Sequence, residues 1–460
     1  MAVIPINDSI DFGVYQNPTT LYPHEVVNDV DKMVSKILYY DMFEYQGNQL
    51  SSRIFESWTI NDENTVFTLK IKDIKWQNGK DITSQDVLYT LSNYPDIINQ
   101  INISIISPKE IEFSLSRPNA ILLENLVIPL EPNLKFKNRF NIIGSTDYHL
   151  VFTKRKQNDI QELIFINKNF NAKLKKISIK VYPDIGSIKT AYQTGEINSF
   201  VSSTPFLQEG VSEYLQVYKG RYNALALNTT KANLASLEIR KKLNDTIDKL
   251  SLKQISYFEN VNLINGPIQN NILFDIPTAI NSTSQKFTTE ELEKIGKLKV
   301  VLPDNSTGKQ VEGILSKFWQ KEQNIDIEIL FESEDKLLET AKNGNFDVIF
   351  VGQEITKDPD QFAYWHSSQT DGGLNFSYFE DAKLDKALEE GRKTRNIDER
   401  KQHYIIFNEV IFEKTPAIFL YNPSEYFYIS NRKSKYFTIQ DDIYYPWEIF
   451  NGIHSKEQAQ

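Results

Sequence analysis

The stretch TVFTLKIKDIKWQNGKDITSQDVLYTL, Thr65–Leu91, changes its period halfway along. Thr65–Lys72 alternates apolar and polar side chains, the pattern of a strand with one buried face. Asn78-Gly79 is then a tight-turn pair, since glycine enters positive φ without a Cβ clash. Thr83 stands three residues before Asp86, so it can cap a first helical turn whose positive end Asp86 favours. DVLYTLSN continues as that helix. A loop built to cradle phosphate would carry more glycines and usually a basic residue at the helix start. The stretch therefore reads as strand, turn, cap and helix, within a β-rich antiparallel segment over residues 50–120.

Working outward, PKEIEFSLSRPNAILLENLVI reads as another strand and then a helix, and a polar region, Glu131–Asn158, closes the first module. Lys173–Pro205 reads strand, helix, strand, with Gly195 where a C′ glycine would end the helix. Tyr222–Thr230 is a buried strand and Leu237–Leu252 a helix. The polar tract Asn281–Gly296 resembles a linker with a short helix. Beyond it KLKVVL, DIEILF and FDVIFV alternate with KQVEGILSKFWQKEQ and EDKLLETAKNG. Strands alternating with helices of this length imply a mainly parallel, doubly wound sheet, whose ligands bind beyond the strand C-termini.

Two more helices are expected. AKLDKALEEG is preceded by Asp381 and ends at Gly391. DERKQHYIIFNEVIFEK has Asn396 and Glu399 at capping-box spacing and Tyr404, Phe407 and Ile411 on one face. Thr415-Pro416 then breaks the pattern before a final strand, AIFLY.

Composition bounds the function. The chain has 460 residues, more than one hydrophobic core supports, so two or more lobes are expected. Apolar residues make up 40 % and charged residues 24 %, ordinary for a soluble globular protein. A net charge of −10 argues against a nucleic-acid surface and mildly against anionic lipid. No apolar run reaches membrane-span length; AILLENLVIPL carries a glutamate. MAVIPINDSI lacks the basic start and apolar stretch of a secretory signal.

Motifs for chemistry are missing. With no cysteine, thiolate metal sites, disulfides and cysteine nucleophiles are excluded. His24, His149, His366, His403 and His454 show no HxxxH or HxH spacing, so no zinc site is expected, and His403 reads as an ordinary helix residue. PDNSTGKQ shares only Gly308-Lys309 with a phosphate-binding loop. There is no G-x-S-x-G elbow and no G-x-G-x-x-G fingerprint. Catalytic residues, cofactor and metal are all expected to be none.

Taken together, these segments resemble the extracellular solute-binding proteins of family 5, the substrate-binding subunits of peptide-type ABC transporters. PTTLYPHEVVND (Pro18–Asp29) is similar to the family's TLDPH region. SWTINDENTVFTLKIKDIKWQNGKDITSQDVLYTL is similar to its W…F-x-L-R…W-x-D-G-x-x-x-T-A-x-D-V signature. TAYQTGEINSF, NTTKANLASLEIRKKLNDTID, NGPI, DPDQF and GGLNFSYF follow in the family's order.

The resemblance implies an α/β, two-lobed, periplasmic-binding-protein-like type II fold with an extra β-rich subdomain, hinged around a ligand. Lobe I would be residues 1–40, 155–225 and 433–460, the extra subdomain 41–154, and lobe II 226–432. It implies an extracytoplasmic, non-enzymatic monomer, periplasmic or anchored at the cell surface, that delivers a small solute, most readily an oligopeptide, to an ABC transporter permease. A non-peptide solute (metal chelate, oligosaccharide or opine-like compound) is the alternative, and a sensor or surface protein that has left transport is another. Ser203, Thr204, Asn228, Asn265, Gln353, Glu354 and Asn375 are the expected ligand contacts.

The chain departs from the family in two places. G-W-x-x-D before the D-P-D element is here GQEITKDPD, with Gln353 for the tryptophan and Glu354 as the nearby carboxylate. The G-T-G-P-Y element is GSTDY (Gly144–Tyr148). Asp358, Pro359 and Asp360 fit the N-cap and first turn of a helix.

Overall fold

The computed structural model describes residues 8–46, 49–134, 142–157, 159–254, 258–269, 274, 286–436 and 444–450. His454 and the start of the polar tract, 281–285, lie outside them. The chain divides into two compact units, Met1–Gln216 with Glu425–Gln460, and Val217–Ser424.

The first unit is built on a seven-stranded sheet. Its order is Val211–Val217, Ser424–Ser430, Ser199–Ser202, Ser9–Val14, Lys176–Val181, Asp159–Asn167 and Tyr148–Lys156. Ser9–Val14 runs parallel to both Lys176–Val181 and Ser199–Ser202. The helix Asp29–Leu38 starts at Asn28, whose side chain accepts from the Asp31 amide at 2.9 Å. Asp31 is buried and accepts from Thr19 N, Thr19 Oγ1 and Val27 N at 2.7, 2.6 and 3.1 Å, stitching the preceding loop to the helix. His24 lies 2.7–2.8 Å from both oxygens of the buried Glu131 carboxylate.

The β-rich segment lies in this unit as a four-stranded antiparallel sheet, ordered Phe55–Ile60, Val66–Ile71, Glu110–Leu115, Ile101–Ser107. Phe67, Leu69 and Ile71 are buried, as their alternation predicts. Gly79 takes φ +81° in the turn, closed by Lys75 bridging Asp81. The helix Ser84–Ser92 opens with a capping box in which Asp86 Oδ2 accepts from Thr83 N at 2.8 Å.

The second unit holds a six-stranded sheet: Asn262–Leu263, Ala417–Asn422, Arg221–Leu227, Val348–Glu354, Lys297–Pro303, Asp326–Glu332. Lys297–Pro303 is parallel to Asp326–Glu332 and to Val348–Glu354, as the β-α-β-α-β pattern predicts. The sheet is mixed, however. Arg221–Leu227 is antiparallel to both of its neighbours, because it and Ala417–Asn422 enter from chain remote from that run. Trp319 is fully buried in this unit's core, its indole N–H donating to Leu243 O at 3.3 Å. Each such large apolar side chain contributes about 1.5–3 kcal/mol on burial.

Several local expectations change. Residues 148–156 form a strand, not part of a polar closing region. The helix expected after Glu110–Leu115 is only a short 3-10 turn, Leu123–Leu126. Leu237–Leu252 is two helices, Leu237–Asp245 and Lys249–Leu252, the second capped afresh by Asp248. Gly391 does not end its helix, which runs Ala382–Lys393; it lets that helix pack against Tyr404, whose ring would sit 3.4 Å from an added Cβ. Ala417–Asn422 is not the last strand, since Ser424–Ser430 follows and pairs with Ser199–Ser202.

Candidate binding site at the C-terminal edge of the second unit's parallel strands

Ligands of open α/β sheets bind beyond the carboxyl ends of parallel strands. In the second unit that edge is formed by Pro303, Glu332 and Glu354. Register places Arg221 opposite Glu354 and Tyr222 opposite Gln353. Arg221 Nη2 donates to Glu354 Oε1 at 2.7 Å, with both side chains partly open to solvent. Asn422 Nδ2 donates to Arg221 O at 2.9 Å, and Asn262 Nδ2 to Asn422 Oδ1 at 2.9 Å. A row of polar side chains thus runs along one end of the sheet.

Behind that row is a buried layer. The Tyr222 hydroxyl donates to Gln353 Oε1 and receives the Trp365 indole N–H at 3.4 Å. Burial pushes the Tyr222 hydroxyl well above its ordinary pKa, so it stays a donor. Tyr364 OH donates to the Glu354 carbonyl at 2.9 Å. Gln361 Nε2 is buried without a hydrogen-bond partner, 3.5 Å separating Gln361 Oε1 from the Tyr222 hydroxyl.

The loop leaving Glu354 is held from beneath by two ion pairs. Asp358 is fully buried, with Arg400 Nη2 2.8 Å from Oδ2 and Tyr404 OH donating to Oδ1 at 2.7 Å. Burial raises its carboxyl to about 6, against the pull of Arg400. Asp360 Oδ2 receives Arg392 Nε at 2.9 Å and Nη2 at 2.5 Å. The N-cap reading of Asp358 is therefore corrected. The short helix is Phe362–Trp365, capped at Gln361, and Asp360 alone of the pair serves its start, accepting from Phe362 N at 3.1 Å. Asp358 is an internal anchor for the helix Ile397–Lys414.

The expected contacts fall in different places. Gln353 and Glu354 stand together at the edge described. Asn228 follows the opposite end of Arg221–Leu227, its Nδ2 3.3 Å from Gly344 O and Phe346 O and its Oδ1 receiving Thr230 Oγ1 at 2.6 Å. Asn375 is buried, donating to Phe379 O at 2.9 Å and to Trp365 O at 3.2 Å. Asn265 Oδ1 accepts from the buried Lys249 ammonium at 2.5 Å. Burial lowers that ammonium to about 7, with Asp245 pulling the other way. In the first unit, Ser203 is exposed, and Thr204 Oγ1 accepts from Lys189 Nζ at 3.1 Å beside the buried Phe206. Arg221, Tyr222 and Asn422 were not anticipated. Only the charged start of RYNALAL hinted at Arg221, because cross-strand register is not written in either strand by itself.

Among the described residues no group of three His, Asp or Glu side chains is placed to hold a metal ion, and no helix is long and apolar enough to cross a membrane. The edge offers one ion pair, amide groups and aromatic walls, a surface suited to gripping a polar guest.

The fold is that of periplasmic binding proteins. Oligopeptide-binding AppA from Bacillus subtilis, solved with a nonapeptide, superposes with TM-score 0.76 at 17 % identity, covering 97 % of both chains. NikA from Brucella suis, solved with Fe(III)-EDTA, gives TM-score 0.76 at 18 % identity over 96 % of this chain and 99 % of that one. In sequence, the oligopeptide-binding protein AppA of Bacillus subtilis strain 168 is 24 % identical over 428 residues, 79 % of this chain and 77 % of that protein. The model of the bacterial extracellular solute-binding proteins, family 5 Middle, matches residues 49–373, and the chain belongs to that family.

Proposed function

We propose that this protein captures an oligopeptide outside the cytoplasm and presents it to the permease of an ABC importer, without chemistry on the guest. The family match over residues 49–373 carries this reading, and likeness to an oligopeptide-binding protein across most of the chain supports peptide as the guest. The proposed contacts are Ser203 and Thr204 in the first unit and Arg221, Gln353 and Glu354 in the second. The two units close on the guest, which stabilises the closed state by its differential affinity for that state. Extended peptide fits such a site because its backbone supplies strand-like donors and acceptors whatever its side chains.

A metal chelate is the second reading. Likeness to NikA supports it, as does the Arg221 clasp on Glu354, which leaves a peptide ammonium to compete for that carboxylate. Thermal-shift screens of a peptide library beside nickel–histidine and iron–EDTA, with mass spectrometry of what co-purifies, separate the two. Stabilisation by peptides and not chelates is the expected result. The reverse pattern replaces peptide with chelate, and no response to either removes both.

A further inference from the structure

The hairpin Tyr148–Lys156/Asp159–Asn167 and the loop after it concentrate positive charge in a chain whose net charge is −10. Lys154, Arg155, Lys156, Lys168 and Lys173 are exposed there, with Asp147, Asp159 and Glu162 as the acidic counterweight. Glu162 is partly engaged, accepting from Ser178 Oγ at 2.9 Å.

Apolar side chains stand among these charges. Along Asp159–Asn167, Ile160, Leu163 and Phe165 are buried on the core side. Strand alternation puts Ile164 and Ile166 on the other face, where Phe152 pairs with Ile164 in register. Val151 and Phe152 are about half exposed, both beside a register shift that widens the strand, and Phe170 protrudes almost wholly into solvent, 97 % exposed. A protruding aromatic at the rim of a flat strand face is unlike a concave small-molecule pocket. Lysine stems beside it can lie along apolar surface while their ammonium groups reach outward.

We propose that this surface docks on an anionic lipid headgroup layer, Phe152 and Phe170 entering the interface and the lysines meeting the phosphates. Charge complementarity favours lipid, and protruding apolar groups gain by leaving water in an interface that accepts them. The whole-chain charge works against such binding, so retention on an anionic membrane must come from local segregation of charge.

The test is co-sedimentation of the full chain with phosphatidylglycerol-containing and pure phosphatidylcholine vesicles. Retention on the anionic vesicles only, weakening as salt rises, is expected. Lys154→Gln, Arg155→Gln and Lys156→Gln together should weaken it about a hundredfold. Phe170→Ser should weaken it too. Lys241→Glu, an exposed lysine of the second unit, should leave it unchanged. Thermal midpoints of all variants should match the parent, since the altered side chains are exposed. Equal retention on both vesicle types, or a triple variant no weaker than Lys241→Glu, overturns the proposal. So does retention only on vesicles that carry an importer, which would make the partner a protein.

Discussion

Arg221 and Glu354 illustrate what a single residue can be asked to do. Their ion pair is partly exposed, so its contribution to folding is small, about 0–1 kcal/mol. Glu354→Gln should therefore leave the denaturation midpoint nearly unchanged while shifting ligand affinity about tenfold or more, measured by calorimetry with whichever solute the screens identify. Equal stability and equal affinity would remove Glu354 from the site. Asp358 makes the opposite case. Its folded carboxyl is raised to about 6 from an ordinary 3.8, so it holds a proton more readily folded than unfolded. Its titration favours the folded state below pH 3.8, and that advantage is lost as pH rises through about 6. Asp358→Asn should flatten that part of the stability curve in denaturant titrations between acid and neutral pH. Asp358→Ala should cost about 3–5 kcal/mol, because Arg400 is left buried without its partner. None of this was legible in GQEITKDPD, since Arg400 and Tyr404 arrive some forty residues later.

At the scale of elements the sequence was a better guide. Strands of the β-α-β-α-β run and the turn at Asn78-Gly79 are local decisions, made by side-chain period and by residues that tolerate the turn. Caps were readable in type more than in detail. Asn396 does cap its helix, accepting from Asp398 N and Glu399 N, but Glu399 turns back to Thr394 Oγ1 at 2.7 Å. The mixed sheet, the second half-helix at Lys249 and the final strand depend on partners distant in sequence, which period does not record. The helix Ser306–Leu315 gives a paired test. An added Cβ at Gly308 would fall 1.9 Å from Pro303 O, whereas Gly313 has open space around it. Gly308→Ala should destabilise by about 1–3 kcal/mol. Gly313→Ala should stabilise by about 0.5–1 kcal/mol. Guanidinium denaturation of the two variants reads both, and matching signs would contradict the close approach at Gly308.

At the scale of the whole molecule, the family's collinear segments carried the fold, and the site was only half legible. Gln353 and Glu354 reach an exposed sheet edge because their strand ends there. Asn228, Asn265 and Asn375 have side chains already bound to neighbours in the second unit. A residue's polarity shows that it needs a partner, not whether the fold supplies one. Closure on a guest predicts that the scattering radius contracts when a stabilising solute is added, and constancy under saturation would argue for a rigid receptor.

The central claim is reversible capture of a solute that leaves unaltered. Native mass spectrometry of the protein incubated with a peptide mixture tests it most directly. The expected spectrum shows one retained peptide per chain, recovered after denaturation at its original mass. Recovery of cleaved or modified peptide, or retention of no solute across peptides and chelates alike, would contradict the account.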